Sequence, residues 1–248
     1  VTVLEAVGLR KSFGGVAAVD GVSLSVQAGE MLALIGPNGA GKSTCFNMLN
    51  GQIRPDAGQV RLMGQDIAGL PPRQVWRLGV GRTFQVTATF GSMTVLDNVR
   101  MALLSHHRRL TQLWRPAKDL YDAEAAAALA QVGLADQANR SCGVLAYGDL
   151  KRLELAVALA NTPRLLLMDE PTAGMAPAER SGLMALTARI AKGRGIAVLF
   201  TEHDMDVVFG HADRVLVLHQ GQVITAGTPA AVRADARVRE VYLGPEPS

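Results

Sequence analysis

From Thr2 to Val26 apolar and polar residues alternate around Gly14-Gly15 and Gly21, the period-two signature of short antiparallel strands separated by turns. Gly29-Glu30 then leads into Met31-Leu32-Ala33-Leu34-Ile35, apolar at every position, as expected of a strand covered on both faces. A glycine-rich turn follows. After it the pattern predicts a helix opening at about Lys42, a strand from Gln59 to Leu62, a short helix from Arg73 to Leu78 and a strand ending near Phe84. The middle of the chain is different in kind. Val95 to Ser105, Leu120 to Val132 and Asp149 to Ala160 carry helical spacing, the second rich in alanine, and predict a helical lobe over 92–161. Alternation of buried strand and helix then returns with Arg164 to Met168, Ala176 to Lys192 and Gly195 to Phe200. Arg214 to Leu218 and Gln222 to Ala226 flank His219-Gln220-Gly221 as a hairpin. The tail from Thr228 holds a short helix before Pro245-Glu246-Pro247-Ser248, an end expected to fray.

The chain has 248 residues, enough for one full hydrophobic core with a smaller lobe packed against it. With 48% apolar and 19% charged residues, disorder is excluded as a description. The formal charge is only +3, and the basic residues stand singly or in short groups such as His106-His107-Arg108-Arg109 with few aromatics between them, so nucleic acid is not an expected partner. Cys45 and Cys142 have no metal-ligand spacing, which predicts a reducing compartment and no disulfide. The longest apolar runs are strand-length, far short of the ~20 residues a membrane-spanning helix requires. No charged segment followed by a long apolar one opens the chain, so no secretory signal is expected and membrane contact would come through a partner.

Chemistry enters with Gly36-Pro37-Asn38-Gly39-Ala40-Gly41-Lys42-Ser43, which fills the whole phosphate-binding P-loop pattern between a buried strand and a helix. Its glycines let successive backbone N–H groups turn inward around phosphates, and the helix N-terminus adds a favourable dipole. Lys42 is expected at the β and γ phosphates, Ser43 on Mg²⁺ and Thr44 beside the phosphates. A second acidic site closes the next strong strand, Leu165-Leu166-Leu167-Met168-Asp169-Glu170. A parallel strand carries its last residues to the carboxyl edge of the sheet, where the P-loop also lies. Asp169 is therefore expected to hold the water shell of Mg²⁺, and Glu170 to act as the base or positioner of the attacking water.

These motifs occur in order with Gln85 after Gly81-Arg82-Thr83-Phe84, the stretch Leu145-Ala146-Tyr147-Gly148-Asp149, the turn Ala173-Gly174-Met175, and His203. Through them the chain resembles, over essentially its whole length, the nucleotide-binding subunit of ATP-binding cassette (ABC) transporters. The resemblance implies an α/β fold of P-loop NTPase type with a RecA-like core. Residues 1–91 and 162–248 would form that core with an antiparallel β subdomain, and 92–161 the inserted helical subdomain. It implies an ATPase in which Gln85 touches Mg²⁺ and the attacking water, His203 holds the γ phosphate with Glu170, and Phe13 stacks on adenine. It also implies a head-to-tail dimer, with itself or with a paralogous cassette, in which Ala146, Tyr147, Gly148 and Asp149 reach nucleotide held by the opposite subunit.

The chain departs from the commonest form of that signature, Leu-Ser-Gly-Gly-Gln: Ala146 has no hydroxyl, Tyr147 replaces a glycine and Asp149 a glutamine, which puts the tightness of closure in doubt. Val157 stands where many relatives have arginine. Leu-Ala-Tyr-Gly-Asp, with Arg82-Thr83-Phe84-Gln85 and Val241-Tyr242-Leu243-Gly244, resembles the glycine-type ATPase subunit of bacterial branched-chain amino acid uptake, with urea and amide importers as close alternatives. A soluble repair or translation ATPase would carry a long coiled-coil insertion or a second cassette, and neither is visible. The implied partners are transmembrane permease subunits and, indirectly, a periplasmic or extracellular binding protein, with this chain on the cytoplasmic face. A permease helix would enter a cleft lined by Val86 to Leu96, with Phe90 and Met93 as apolar contacts. Cys45, one step past Thr44, is expected to gain thiolate character from the helix dipole, so that its alkylation would hinder ATP binding.

Overall fold

The computed structural model describes residues 1–83, 89–107 and 121–243. Strands β1 (Thr2–Phe13) and β2 (Val16–Gln27) pair antiparallel across Gly14-Gly15, both of which take positive φ. Each is twelve residues long, where the alternation had suggested shorter pieces. Gly21 makes no turn. The register steps from Leu9↔Val22 to Arg10↔Asp20, so Gly21 is the extra residue of a bulge, held at φ +75° inside a continuous strand. Strands β4 (Ala57–Leu62) and β5 (Gln65–Asp66) complete a four-stranded sheet in the order β2-β1-β4-β5.

The second sheet has six strands: β3 (Met31–Ile35), β6 (Val80–Thr83), β7 (Leu165–Asp169), β8 (Ala197–Thr201), β9 (Arg214–His219) and β10 (Gln222–Gly227). Their order is β10-β9-β3-β8-β7-β6, parallel throughout except for the edge strand β10. Successive side chains of its central strands enter opposite cores. Met31, Ala33, Ile35, Leu166, Met168, Val198 and Phe200 join one cluster, while Leu32, Leu34, Leu165, Leu167, Ala197 and Leu199 join the other. This is why those runs are apolar at every position and not at alternate ones.

Helix α1 (Lys42–Leu49) fills the second cluster through Cys45, Phe46 and Leu49, beneath the β1–β2 sheet. Helix α2 (Pro72–Arg77) leads into β6. On the other side lie α3 (Val95–His106), α4 (Asp122–Gln131) and α5 (Tyr147–Leu159), with short 3-10 turns at Ala135–Gln137 and Cys142–Val144. Thr94 caps α3 by accepting from the Asp97 amide, and its hydroxyl donates to the Asp97 carboxylate. Helix α6 (Pro177–Arg194) opens with proline and stops at Gly195 in the left-handed conformation. The seven-residue α7 (Met205–His211), too short to carry a periodic signal, is capped by Asp204, which accepts from the amides of Asp206 and Val207. The tail holds two helices, α8 (Pro229–Ala234) and α9 (Ala236–Leu243), where one was expected, and Pro245 to Ser248 lie outside the described residues. Among the described residues no helix is long and apolar enough to cross a membrane.

Candidate nucleotide and catalytic site

Strand order assembles the site. Strand β8 lies between β3 and β7, so the loop after β8 emerges between the glycine-rich loop after β3 and the acidic pair after β7. All three strands run parallel, and all three loops meet at one carboxyl edge. Gly36 and Gly41 have no room for a side chain. A Cβ on Gly36 would stand 2.2 Å from the Leu218 carbonyl oxygen, and one on Gly41, at φ +102°, 2.4 Å from the Ala18 oxygen. The loop is pinned from behind, where the Gly221 amide donates to the Ala40 carbonyl at 3.0 Å and the Asp20 amide to the Gly221 carbonyl at 2.8 Å.

Lys42 turns back onto this loop. Its Nζ donates to the carbonyls of Gly36 (2.6 Å) and Pro37 (3.0 Å), and its side chain is buried. Burial pulls the ammonium below the usual lysine value, while Glu170 and then Asp169 act in the opposite direction. Ser43 is exposed at the start of α1 and Thr44 half-buried beside it. The thiol of Cys45 points into the core, fully buried, and burial pushes it up to about 12. The expected thiolate is thus overturned: desolvation of the charged form outweighs the dipole.

Asp169 is held from both sides. The Thr201 hydroxyl donates to its Oδ1 at 2.8 Å, and the Arg82 guanidinium lies 3.6 Å from Oδ2. Arg82 also donates to Gln52 Oε1 at 2.9 Å, and burial draws it below the usual arginine value against the pull of Asp169. Glu170 takes the left-handed conformation, φ +48°, which costs a non-glycine residue about 1 kcal/mol. Its amide donates to the Thr201 carbonyl (3.2 Å) and hydroxyl (3.1 Å), and its carbonyl accepts from the Ala173 amide (3.1 Å). These bonds fix the strained residue. Its carboxylate Oε1 accepts from His203 Nε2 at 2.5 Å, so the imidazole proton sits on Nε2.

His203 is itself set by its neighbour Glu202, nearly fully buried, whose Oε1 accepts from both the amide (2.8 Å) and the hydroxyl (2.7 Å) of Thr172. The other Glu202 oxygen accepts from the His203 amide at 3.3 Å. Sequence reasoning missed Thr201, Glu202 and Thr172, because their partners lie some thirty residues away. It also missed a tie to the tail: the Gly36 amide faces the Tyr242 hydroxyl on α9, whose phenol burial pushes up to about 12.

The structure thus brings together the P-loop with Lys42, Asp169, Glu170 and His203. Phe13 ends β1 half exposed, with the Lys11 ammonium 5.6 Å from its ring centre, so it is no core aromatic. Ala146 and Tyr147 are exposed at the start of α5, Gly148 is buried against Glu179, and Asp149 accepts from Gln137 at 2.8 Å. Gln85, with Phe84 and Val86, lies outside the described residues, as does Gly244. Of the expected cleft residues, Phe90 is exposed and Met93 half-buried. A cavity of about 400 Å³ lies beside β6, lined by Gln52, Arg73, Trp76, Arg82, Ala102 and Val157.

The chemistry of these residues fits a nucleotide with its metal. Phosphate oxygens suit a glycine cradle whose N–H groups a Cβ would displace, with a lysine ammonium alongside. Among the described residues no group of three His, Cys, Asp or Glu side chains gathers to hold a metal. A serine hydroxyl with one carboxylate suits Mg²⁺, which keeps several waters and binds together with phosphates.

Comparison with known proteins agrees. The ABC transporter family profile matches residues 19–173, and that of the branched-chain amino acid ATP-binding cassette transporter matches residues 222–244. The high-affinity branched-chain amino acid transport ATP-binding protein BraF of Pseudomonas aeruginosa is 41% identical, with 98% of each chain covered. The protein LivG of Escherichia coli, of the same description, is 40% identical, with 96% of each covered. Among solved structures, a nucleotide-free ATP-binding cassette from an ABC transporter superposes with a TM-score of 0.87 at 31% identity, covering 99% of this chain and all of that one. The ADP conformation of a cassette also superposes at 0.87, with 32% identity.

Proposed function

The chain belongs to the ATP-binding cassette transporter family, and from that premise we propose that it powers a branched-chain amino acid importer by hydrolysing ATP. The observation that carries the hydrolytic part is the convergence of the P-loop, Asp169, Glu170 and His203 on one sheet edge, with Glu170 and His203 2.5 Å apart. Phosphates enter the cradle of Gly36 to Thr44, and the Lys42 ammonium moves from the Gly36 and Pro37 carbonyls to the β and γ oxygens. Ser43 and Asp169, the latter through water, would hold Mg²⁺ together with Gln85, and the ion would supply positive charge beside the phosphates. Glu170 orients water and takes its proton, the water oxygen bonds to the γ phosphorus, and the bond to the ADP oxygen breaks. His203, whose Nε2 here donates to Glu170, would turn from that carboxylate to the oxygens of the departing phosphoryl group and stabilise them. Phe13 stacks on the adenine.

A head-to-tail dimer with a second cassette completes the site, with Ala146, Tyr147, Gly148 and Asp149 facing nucleotide held by the opposite subunit. Permease subunits carry the substrate path, and a binding protein delivers to them. A permease helix would enter the cleft that Val86 to Leu96 is expected to line, with the exposed Phe90 and half-buried Met93 as its apolar contacts. On this reading the chain works on the cytoplasmic face, held there by its permease partners.

Two measurements test this reading. Purified protein should release phosphate from ATP, and Glu170→Gln should abolish turnover while retaining ATP. In cells lacking the chain, uptake of labelled leucine, isoleucine and valine should fall and return on re-expression; restored ATPase with unchanged uptake would remove the transport assignment.

A further inference from the structure

The signature position at which the commonest pattern has glycine carries a tyrosine, and its side chain is engaged. The Tyr147 hydroxyl donates to the carbonyl of Ala173 at 3.0 Å. Its ring lies over Gly174, where a Cβ would come within 3.4 to 3.6 Å of the ring atoms; φ at Gly174 is +79°. The Lys151 ammonium, buried in a 3.1 Å ion pair with Glu154, sits 5.5 Å from the ring centre on its own helix. The next residue, the buried Gly148, faces α6, with a Cβ there only 2.9 Å from Glu179 Oε1.

The recipient of that bond is the turn that leaves Glu170. The Ala173 amide donates to the Glu170 carbonyl, Thr172 is fixed by Glu202, and the Met175 amide donates to the Thr172 carbonyl at 3.1 Å. The Ala173 carbonyl, on the exposed side of a turn whose Thr172 and Met175 are buried, is where the start of α5 bonds to it.

We propose that Tyr147 is a positioning residue whose hydroxyl couples the signature helix of a subunit to the geometry of that same subunit's Glu170. The inference rests on the dimeric ATPase reading above, in which the start of α5 meets nucleotide held by the partner subunit while Glu170 serves the subunit's own nucleotide. One hydroxyl then links the two sites mechanically. A signature engaged by the partner's nucleotide pulls through Tyr147 on Ala173, and the turn transmits the displacement over three residues to Glu170.

The variant is Tyr147→Phe, which keeps the ring over Gly174 and removes only the hydroxyl. Hydrogen exchange of the nucleotide-free chain reads the latch by itself: amides of residues 172–176 should exchange roughly five-fold faster, the effect of one neutral hydrogen bond. The ATP dependence of hydrolysis by the assembled transporter reads the coupling: the Hill coefficient should fall from its wild-type value toward 1. Unchanged exchange in that segment overturns the latch, whatever the turnover. Faster exchange with an unchanged Hill coefficient overturns the coupling and leaves the ATPase reading intact. Absence of turnover in the wild-type transporter would remove the ATPase reading, and the coupling with it, whatever the exchange result.

Discussion

Thr201→Val replaces a hydroxyl by a methyl of nearly the same shape, at a position that is almost fully buried. Two bonds are lost. The 2.8 Å donation to Asp169 Oδ1 is the larger, since a hydrogen bond to a charged group contributes about 1.5–3 kcal/mol. The 3.1 Å bond from the Glu170 amide is the smaller, because that amide keeps the Thr201 carbonyl at 3.2 Å and is not orphaned. Unfolding stability should therefore fall by about 2 kcal/mol, read as a lower urea midpoint with an unchanged slope. The functional consequence follows from which oxygen is released. With Oδ1 free, the side-chain contact left to Asp169 among the described residues is Arg82, 3.6 Å from Oδ2, and the carboxylate should turn away from the edge where Mg²⁺ would sit. The free Mg²⁺ giving half-maximal ATPase should rise by roughly tenfold, equivalent to about 1.4 kcal/mol. Thr201→Ser separates the two effects: it loses packing and some stability but keeps the hydroxyl and the wild-type Mg²⁺ requirement. A valine variant with the wild-type Mg²⁺ dependence would refute the assignment of Thr201 as the residue that aims Asp169.

Gly36→Ala drives a Cβ to 2.2 Å from a backbone oxygen that cannot swing aside, so the loop must shift; binding of a fluorescent ATP analogue should weaken by more than tenfold. Glu202→Ala strands the amide and hydroxyl of the fully buried Thr172 and should cost about 3 kcal/mol, whereas Glu202→Gln keeps one oxygen for both donors and should cost less than about 1.5 kcal/mol, each measured by urea unfolding. Cys45 has a folded-state pKa raised to about 12 from 9.0, so its contribution to stability is complete below pH 9 and is lost as pH rises toward 12. By pH 10 that loss amounts to about 1.4 kcal/mol relative to neutral pH, and Cys45→Ala should lack this component of the slope. The same burial predicts that a thiol reagent at pH 8 labels Cys45 only in unfolded protein.

What could be read from the sequence was what depends on neighbours in the chain. The P-loop is contiguous, and glycine's tolerance of Gly36 and Gly41 geometry together with the helix start at Lys42 is a local property. The apolar runs at Met31–Ile35 and from Leu165 to Met168 announced a doubly covered sheet because every position is buried in one of two cores. Where a local argument met a non-local term it failed. The helix dipole favours a Cys45 thiolate, but burial beneath β1 and β2 decides its protonation. Gly21 has the composition of a turn, yet pairing with β1 makes it a bulge. Strand order was not legible at all, and strand order is what sets His203 between the P-loop and Glu170.

The signature departure follows the same logic to a different end. Read along the chain, a serine, a glycine and a glutamine replaced by Ala146, Tyr147 and Asp149 look like lost contacts to a partner's phosphate. In the fold, Tyr147 bonds to Ala173 and Asp149 to Gln137, so two of the three replacements take up partners within their own subunit. Substitution at this loop has exchanged adaptability for internal connection. A signature stiffened in this way gives up little if its remaining contacts to the partner's nucleotide are backbone N–H groups at the α5 start, which Gly148 keeps compact against Glu179. On that reasoning, restoring the commoner residues one at a time would loosen the α5 start before it tightened the nucleotide site, and Tyr147→Gly should weaken ATP-driven dimerisation rather than strengthen it.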